Sequence, residues 1–236
     1  IAASALPRGK LAFGIRHEFI DREPISTARL ASFGAAGASG VHSVDAINSA
    51  SVALAYGITH SFSLSVRLPW VSRSDIREAG SAHHDEEAGD DHHDDDDADV
   101  DGTGSGVTRL GSSSGIGDVV VLGNWRAWRA ADTDFGVQMG IKAPTGDTDE
   151  SAGTQRLETE FQPGSGAWDF LFGAALSRSA GRWGLHANLL FNLTTAGAQD
   201  TEIGDGLFYN LAAVYALNTP DVQTDDAAHD HAEHTH

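Results

Sequence analysis

The chain has 236 residues, a formal net charge of −19, 40% hydrophobic residues, 27 glycines and no cysteine. Without cysteine there are no disulfides, no thiol catalysis and no Cys-ligated zinc, and no apolar run reaches the roughly 18 residues that a membrane helix needs. Much of the acidic charge sits in the run from Asp85 to Asp101 and in the tail after Asp221, and no basic stripe is present to neutralise phosphates, which excludes nucleic acid as a partner.

Lys10 to Ile20 is the first predicted strand, with Leu11, Phe13, Ile15 and Phe19 on one face and Ala12, Gly14, Arg16 and Glu18 on the other. A period of two with this contrast marks a half-buried strand. Asp21 to Val41 reads as a connection rich in Ala, Gly and Ser. The second strand, Ser51 to Ile58, carries Val52, Leu54, Tyr56 and Ile58 on its apolar face. A tight turn at Thr59-His60-Ser61 leads to the clearest strand, where Phe62, Leu64, Val66, Leu68 and Trp70 alternate with Ser63, Ser65 and Arg67. Ser72 to Ser114 reads as a segment that cannot form a core.

The stretch from Ser112 to Trp128 is the fourth strand. Asp118, Asn124 and Arg126 share one parity, and Val119, Val121 and Trp125 the other. After a turn at Ala131–Thr133, Phe135, Val137, Met139 and Ile141 alternate with Gln138 and Lys142. A loop from Pro144 to Gly166 follows. Trp168, Phe170, Phe172 and Leu176 then alternate with Asp169, Gly173 and Ser177. Beyond Ala180-Gly181-Arg182, Trp183, Leu185, Leu189, Phe191 and Leu193 oppose His186, Asn188 and Asn192. Past the loop from Thr195 to Asp205, Leu207, Tyr209, Leu211 and Tyr215 oppose Asn210, Ala212 and Ala216.

About eight strands joined by alternately long and short connections predict an all-β, antiparallel up-and-down transmembrane barrel. It spans residues 1–220, with a His/Asp-rich insertion at 80–107 and a His/Asp-rich tail at 221–236. A soluble β-sandwich shares the short alternating strands. Three features favour the barrel. The strands approach the length of a tilted bilayer crossing. Trp70, Trp125, Trp128, Trp168, Trp183 and Tyr215 recur near strand ends, as an aromatic girdle requires. The opposite faces carry ionic or amide groups suited to a wet lumen: Arg16, Glu18, Arg67, Asp118, Asn124, Arg126, Lys142 and Asp169, with His186 as a further polar lumen residue. Opposite charges there either line a pathway or cross-pair and fill a small barrel.

The strings SSGIGDVVVLGNWRAWR, GIKAPTGDTD, ETEFQPGSGAWDF and LLFNLTTAGAQDTEIGDGLFYNLA resemble a bacterial outer-membrane β-barrel "transporter" family labelled for a MetA pathway of phenol degradation. The likeness covers most of residues 7 to 217. It implies a barrel in the outer membrane of a Gram-negative bacterium, in contact with the lipid bilayer, that passes or binds small solutes. The phenol label is not carried over as a substrate. Members of that family look longer and end in a strand with a terminal aromatic residue, whereas this chain ends in HDHAEHTH. Either the chain closes at about eight strands or it is a fragment of a larger barrel; the fragment is the favoured expectation, because open strand edges in lipid leave costly unpaired backbone groups.

The segment from His83 to Asp101 and the tail set His83, His84, His92, His93, His229, His231, His234 and His236 among carboxylates. Imidazole suits Zn, Cu or Ni, so weak, exchangeable binding of divalent metal ions is one expectation. A solvated acidic loop with incidental affinity is the other. No cofactor is required. GSSSG at Gly111–Gly115 has the letters of a nucleophile elbow but precedes a strand, not a helix, and GTGSG at Gly102–Gly106 lacks the Lys of a phosphate loop. No enzyme is expected. The leading expectation is passive transport or binding of small solutes. A surface metal-binding or adhesion protein with the barrel as anchor is the alternative.

Overall fold

In a computed structural model, which describes residues 3, 5–38, 40–80 and 106–217, the alternating segments form one antiparallel sheet. The chain runs through β1 (Leu11–Asp21), α1 (Thr27–Ala35), β2 (His42–Ser43), β3 (Ala46–Gly57), β4 (Phe62–Ala79), β5 (Val107–Ile116) and β6 (Val119–Ala130). It continues through β7 (Thr133–Ala143), β8 (Ser151–Ala152), β9 (Gln155–Arg156), β10 (Asp169–Ala180), β11 (Trp183–Leu193) and β12 (Gly206–Tyr215). The main path is β1-β3-β4-β6-β7-β10-β11-β12, the up-and-down order of a barrel wall. Among the described residues β1 and β12 do not pair with each other, so the wall is an arc.

The wall is inside-out relative to a soluble sandwich. Phe13, Ile15, Leu54, Val66, Leu68, Phe172, Leu189 and Tyr209 are all large, apolar and exposed, while Gln138, Asp169, Ser113 and Ser177 on the other side are buried. A face so uniformly apolar requires lipid, not water. Aromatic residues mark its two margins. Trp70 and Trp168 lie toward the long-loop end. Trp125, in register with Phe62, and Trp183, 5.0 Å from Tyr215, lie toward the short-turn end. From Phe62 to Trp70 is eight residues of one strand, about 26 Å at a strand's rise, which suits a tilted bilayer crossing.

Two expectations fail on the long-loop side. Ser72 to Ser114 does contribute a core. β4 is 18 residues long and continues to Ala79, paired with β5. Ile76 clusters with Leu110, Leu157 and Phe161, and Leu30 with Ala79 and Val107. Period-two reading misses this extension because the register shifts on both sides of Ile76, beside Asp75 at φ 49°. Such bulges swap the two faces. Likewise Ser112 to Trp128 is not one strand. It breaks at Gly117-Asp118, where the Asp118 carboxylate turns to accept the Gly146 N–H at 2.9 Å. The Ala/Gly/Ser-rich connection also holds a helix, α1, capped by Ser26 and packed through Leu30.

Candidate functional site: the inner face and its long-loop mouth

On the inner face the alternation places polar side chains of adjacent strands side by side. Lys142 of β7 is in register with Asp169 of β10, and its Nζ lies 2.6 Å from Asp169 Oδ2. The same Nζ donates to Ser165 Oγ at 2.8 Å and stands 3.7 Å from Asp118 Oδ2. Asp118 accepts from the backbone N–H and the hydroxyl of Ser165 as well as from Gly146. Asp169 accepts one further bond, from Asn192 Nδ2 at 3.0 Å. Lys142 thus bridges two buried carboxylates. Farther toward the turns, Asn188 Nδ2 donates to Gln138 Oε1 at 2.7 Å, and His186 Nδ1 lies 2.9 Å from Ser177 Oγ.

The remaining ionic groups are not drawn into this cluster. Arg16 pairs with Glu18 along the exposed β1 at 3.0 Å. Arg67 lies on the same face of β4, within electrostatic reach of both. Asn124 is half-buried and in register with Gln138 and Ser63. Arg126 sits at the short-turn margin, where its guanidinium donates to the His60 carbonyl at 2.8 Å. The inner face therefore has a cross-paired half around β6, β7 and β10, and a half around β1 and β4 with arginines left over.

Between the halves lies a cavity of about 230 Å³, bordered by Arg67, Arg73, Asp118, Lys142, Gln162 and Ser165. It is roofed by the loop that follows β9, which folds inward instead of away from the wall. Arg73 Nη1 donates to the Gln162 carbonyl at 3.0 Å, and Ser113 Oγ to the Phe161 carbonyl at 2.6 Å. Gln162 in turn donates to the carbonyls of Glu150 and Leu157. Ser113, the central residue of GSSSG, is thus an anchor for the loop. Arg73, Gln162 and Ser165 did not stand out in the sequence, because their role depends on a loop returning to a strand roughly 90 residues earlier.

Close backbone contact holds the roof in place. A Cβ on Gly164 would lie 2.6 Å from Gly146 C, and one on Gly146 would lie 2.7 Å from Gly164 Cα. Gly164→Ala is expected to cost about 1–3 kcal/mol, the usual price of overpacking, and to lower the urea unfolding midpoint. A variant with an unchanged urea midpoint would show that the contact is unimportant.

At the opposite end the segment before β1 crosses the inner face. The Ala3 N–H donates to Ser177 Oγ at 2.9 Å, and Ala3 and Ala5 are buried. Gly9 then bonds to Gly57 at the end of β3. Residues without a Cβ receive this segment: a Cβ on Gly136 would lie 2.7 Å from the Ala3 carbonyl, and one on Gly57 would collide with the Pro7 carbonyl.

The proposed metal ligands His83, His84, His92, His93, His229, His231, His234 and His236 lie outside the described residues. Within the described residues, His42, Glu158 and Glu160 do come together at the long-loop mouth. The sequence offered no spacing signal for that set.

The family model described as "Putative MetA-pathway of phenol degradation" matches residues 93–233. No curated protein matches the chain. Among solved structures, the crystal structure of an outer membrane channel from Pseudomonas putida F1 is similar, with a TM-score of 0.49 and 16% identity over 92% of this chain and 70% of that one.

Proposed function

The chain belongs to the family described as "Putative MetA-pathway of phenol degradation", and on that premise we propose that it is the wall of a Gram-negative outer-membrane channel passing small polar solutes, anionic ones preferentially. The single observation that carries this reading is the reversal of faces: an apolar exterior and a polar interior holding a cavity. Two arginines, Arg67 and Arg73, border that cavity with no ion-pair partner among the described residues, whereas the third cation there, Lys142, is taken up by Asp118 and Asp169. Rings of Arg and Lys select anions by field and by hydrogen bonding. The inward loop and the segment before β1 narrow the two ends. In the bilayer the outer edges of β1 and β12 must pair with strand backbone, because lipid supplies no hydrogen bonds.

Passage involves no bond made or broken. The acidic His segments at 83–101 and 229–236 would raise the local concentration of divalent cations through their negative field. Planar-bilayer recording in a salt gradient tests the proposal. The wild-type protein is expected to show a reversal potential on the anion-selective side, and Arg67→Ala/Arg73→Ala to shift it toward cations. Absence of any conductance or solute uptake would overturn the channel reading. Conductance with unchanged selectivity in the variant would overturn the assignment of these arginines.

A further inference from the structure

We propose that His42, Glu158 and Glu160, with Glu78 alongside, form a binding site for a divalent metal ion of the zinc class at the long-loop mouth. The site is built from two directions. β2 pairs with β4 so that His42 stands directly opposite Glu78. The inward loop brings Glu158 and Glu160 on either side of Thr159, in the turn that ends at Phe161. His42 Nε2 lies 3.4 Å from Glu158 Oε2 and 3.5 Å from Glu78 Oε1, and Nδ1 lies 3.0 Å from Glu160 Oε1. His42, Glu158 and Glu160 each bring one ligand atom, and these atoms all lie within 4.8 Å of one another.

Two observations favour a cation here over a chance meeting of side chains. First, Nε2 is enclosed and makes no hydrogen bond, although carboxylates flank it. A lone pair there is free for a metal on the side of the ring that carries Glu158 and Glu78, while Glu160, 3.0 Å from Nδ1, orients the ring through its other nitrogen. Second, the spacing fits. Ligand atoms around a tetrahedral zinc at ~2.0–2.1 Å stand about 3.4 Å apart, the distance found between Nε2 and Glu158. The ring is held in place by Phe161, which meets it edge-on at 5.0 Å and 82°. Three carboxylates around one imidazole leave an excess of negative charge even if the ring is protonated, and a divalent ion reduces that excess. One nitrogen with several carboxylate oxygens suits zinc, whereas magnesium and calcium prefer oxygen alone. An ion bound here would link the inward loop to β2 and β4, closing the roof against the wall.

This inference goes beyond solute passage and does not rest on it, because its test reads binding whether or not the protein conducts. Purified full-chain protein is titrated calorimetrically with Zn²⁺ as wild type, His42→Ala, Glu158→Gln/Glu160→Gln and His83→Ala/His84→Ala/His92→Ala/His93→Ala. The first two variants are expected to lose one Zn²⁺ equivalent or to weaken it by about tenfold or more. The loop variant is expected to keep that equivalent, and excess Mg²⁺ not to displace it. Should His42→Ala fold poorly, the double Gln variant decides, since amides preserve the shape while removing the charge. Zn²⁺ isotherms of His42→Ala and the double Gln variant that superimpose on wild type would overturn the site, leaving His42 as a simple ion-pair partner. Loss of all Zn²⁺ binding in the loop variant alone would overturn it too.

Discussion

Replacing Lys142 with methionine is expected to destabilise the protein by about 3–5 kcal/mol, the scale for breaking a buried ion pair by removing one partner. Two carboxylates depend on this one ammonium, at 2.6 Å and 3.7 Å, but they would not suffer equally. Asp118 keeps three donors, the backbone N–H groups of Gly146 and Ser165 and the Ser165 hydroxyl. Asp169 keeps only Asn192, and its Oδ1 has no hydrogen-bond partner. It is also the more enclosed, with a side chain 1% exposed. The larger part of the loss therefore falls on Asp169. The reverse change, Asp169→Ala, should cost less, because Lys142 retains Ser165 and Asp118 and is partly open to the lumen. Asp169→Asn should cost least, since it removes the charge but keeps a side chain that can accept from Asn192. Urea unfolding in detergent would rank the three. If Lys142→Met proved no worse than Asp169→Asn, the bridge would contribute no stability.

The second large effect is expected on the outer face. Val66 lies on β4 midway between the aromatic margins, 42% exposed, with Leu54 and Val121 as its register partners. Val66→Arg places a charge near the bilayer midplane, at about 2–4 kcal/mol for a transmembrane barrel. Ser65→Arg, one residue earlier, puts the same charge on the inner face, where Arg67 already sits, and should cost much less. Equilibrium folding into liposomes of the two variants compares the faces directly. Equal losses would mean that Val66 does not meet lipid, and the membrane reading of the wall would fail with it.

The residues that set the wall were legible in the chain because their signal is local. A side chain's face in a strand depends only on its parity, so Leu11, Phe13 and Ile15, or Phe62, Leu64 and Val66, declare their orientation without reference to any partner. The same logic assigned Arg67 and Lys142 to the inner face. It failed where parity itself is broken. The bulges around Ile76 hid the upper half of β4 and its pairing with β5. Alternation places Asp118 within a strand, but Asp118 is the residue at which the strand breaks. α1 was hidden for a different reason: nine residues of mostly small side chains carry too little apolar contrast to reveal a helical stripe.

The site shows the same division. That Lys142 and Asp169 are inner-face charges follows from alternation, but that they touch depends on the register between β7 and β10. Arg73 and Gln162 meet only because the loop after β9 turns inward. His42 sits more than a hundred residues from Glu158 and Glu160, and no spacing rule reaches across that gap. The sequence by itself determined an antiparallel wall with an apolar outside, a polar inside and aromatic margins, because strand periodicity encodes a face residue by residue. The tertiary structure alone decided which inner charges neutralise one another, which arginines border a cavity without a carboxylate partner, and where carboxylates gather around an imidazole. Those outcomes depend on register and loop closure between distant segments, and distance along the chain carries no record of either.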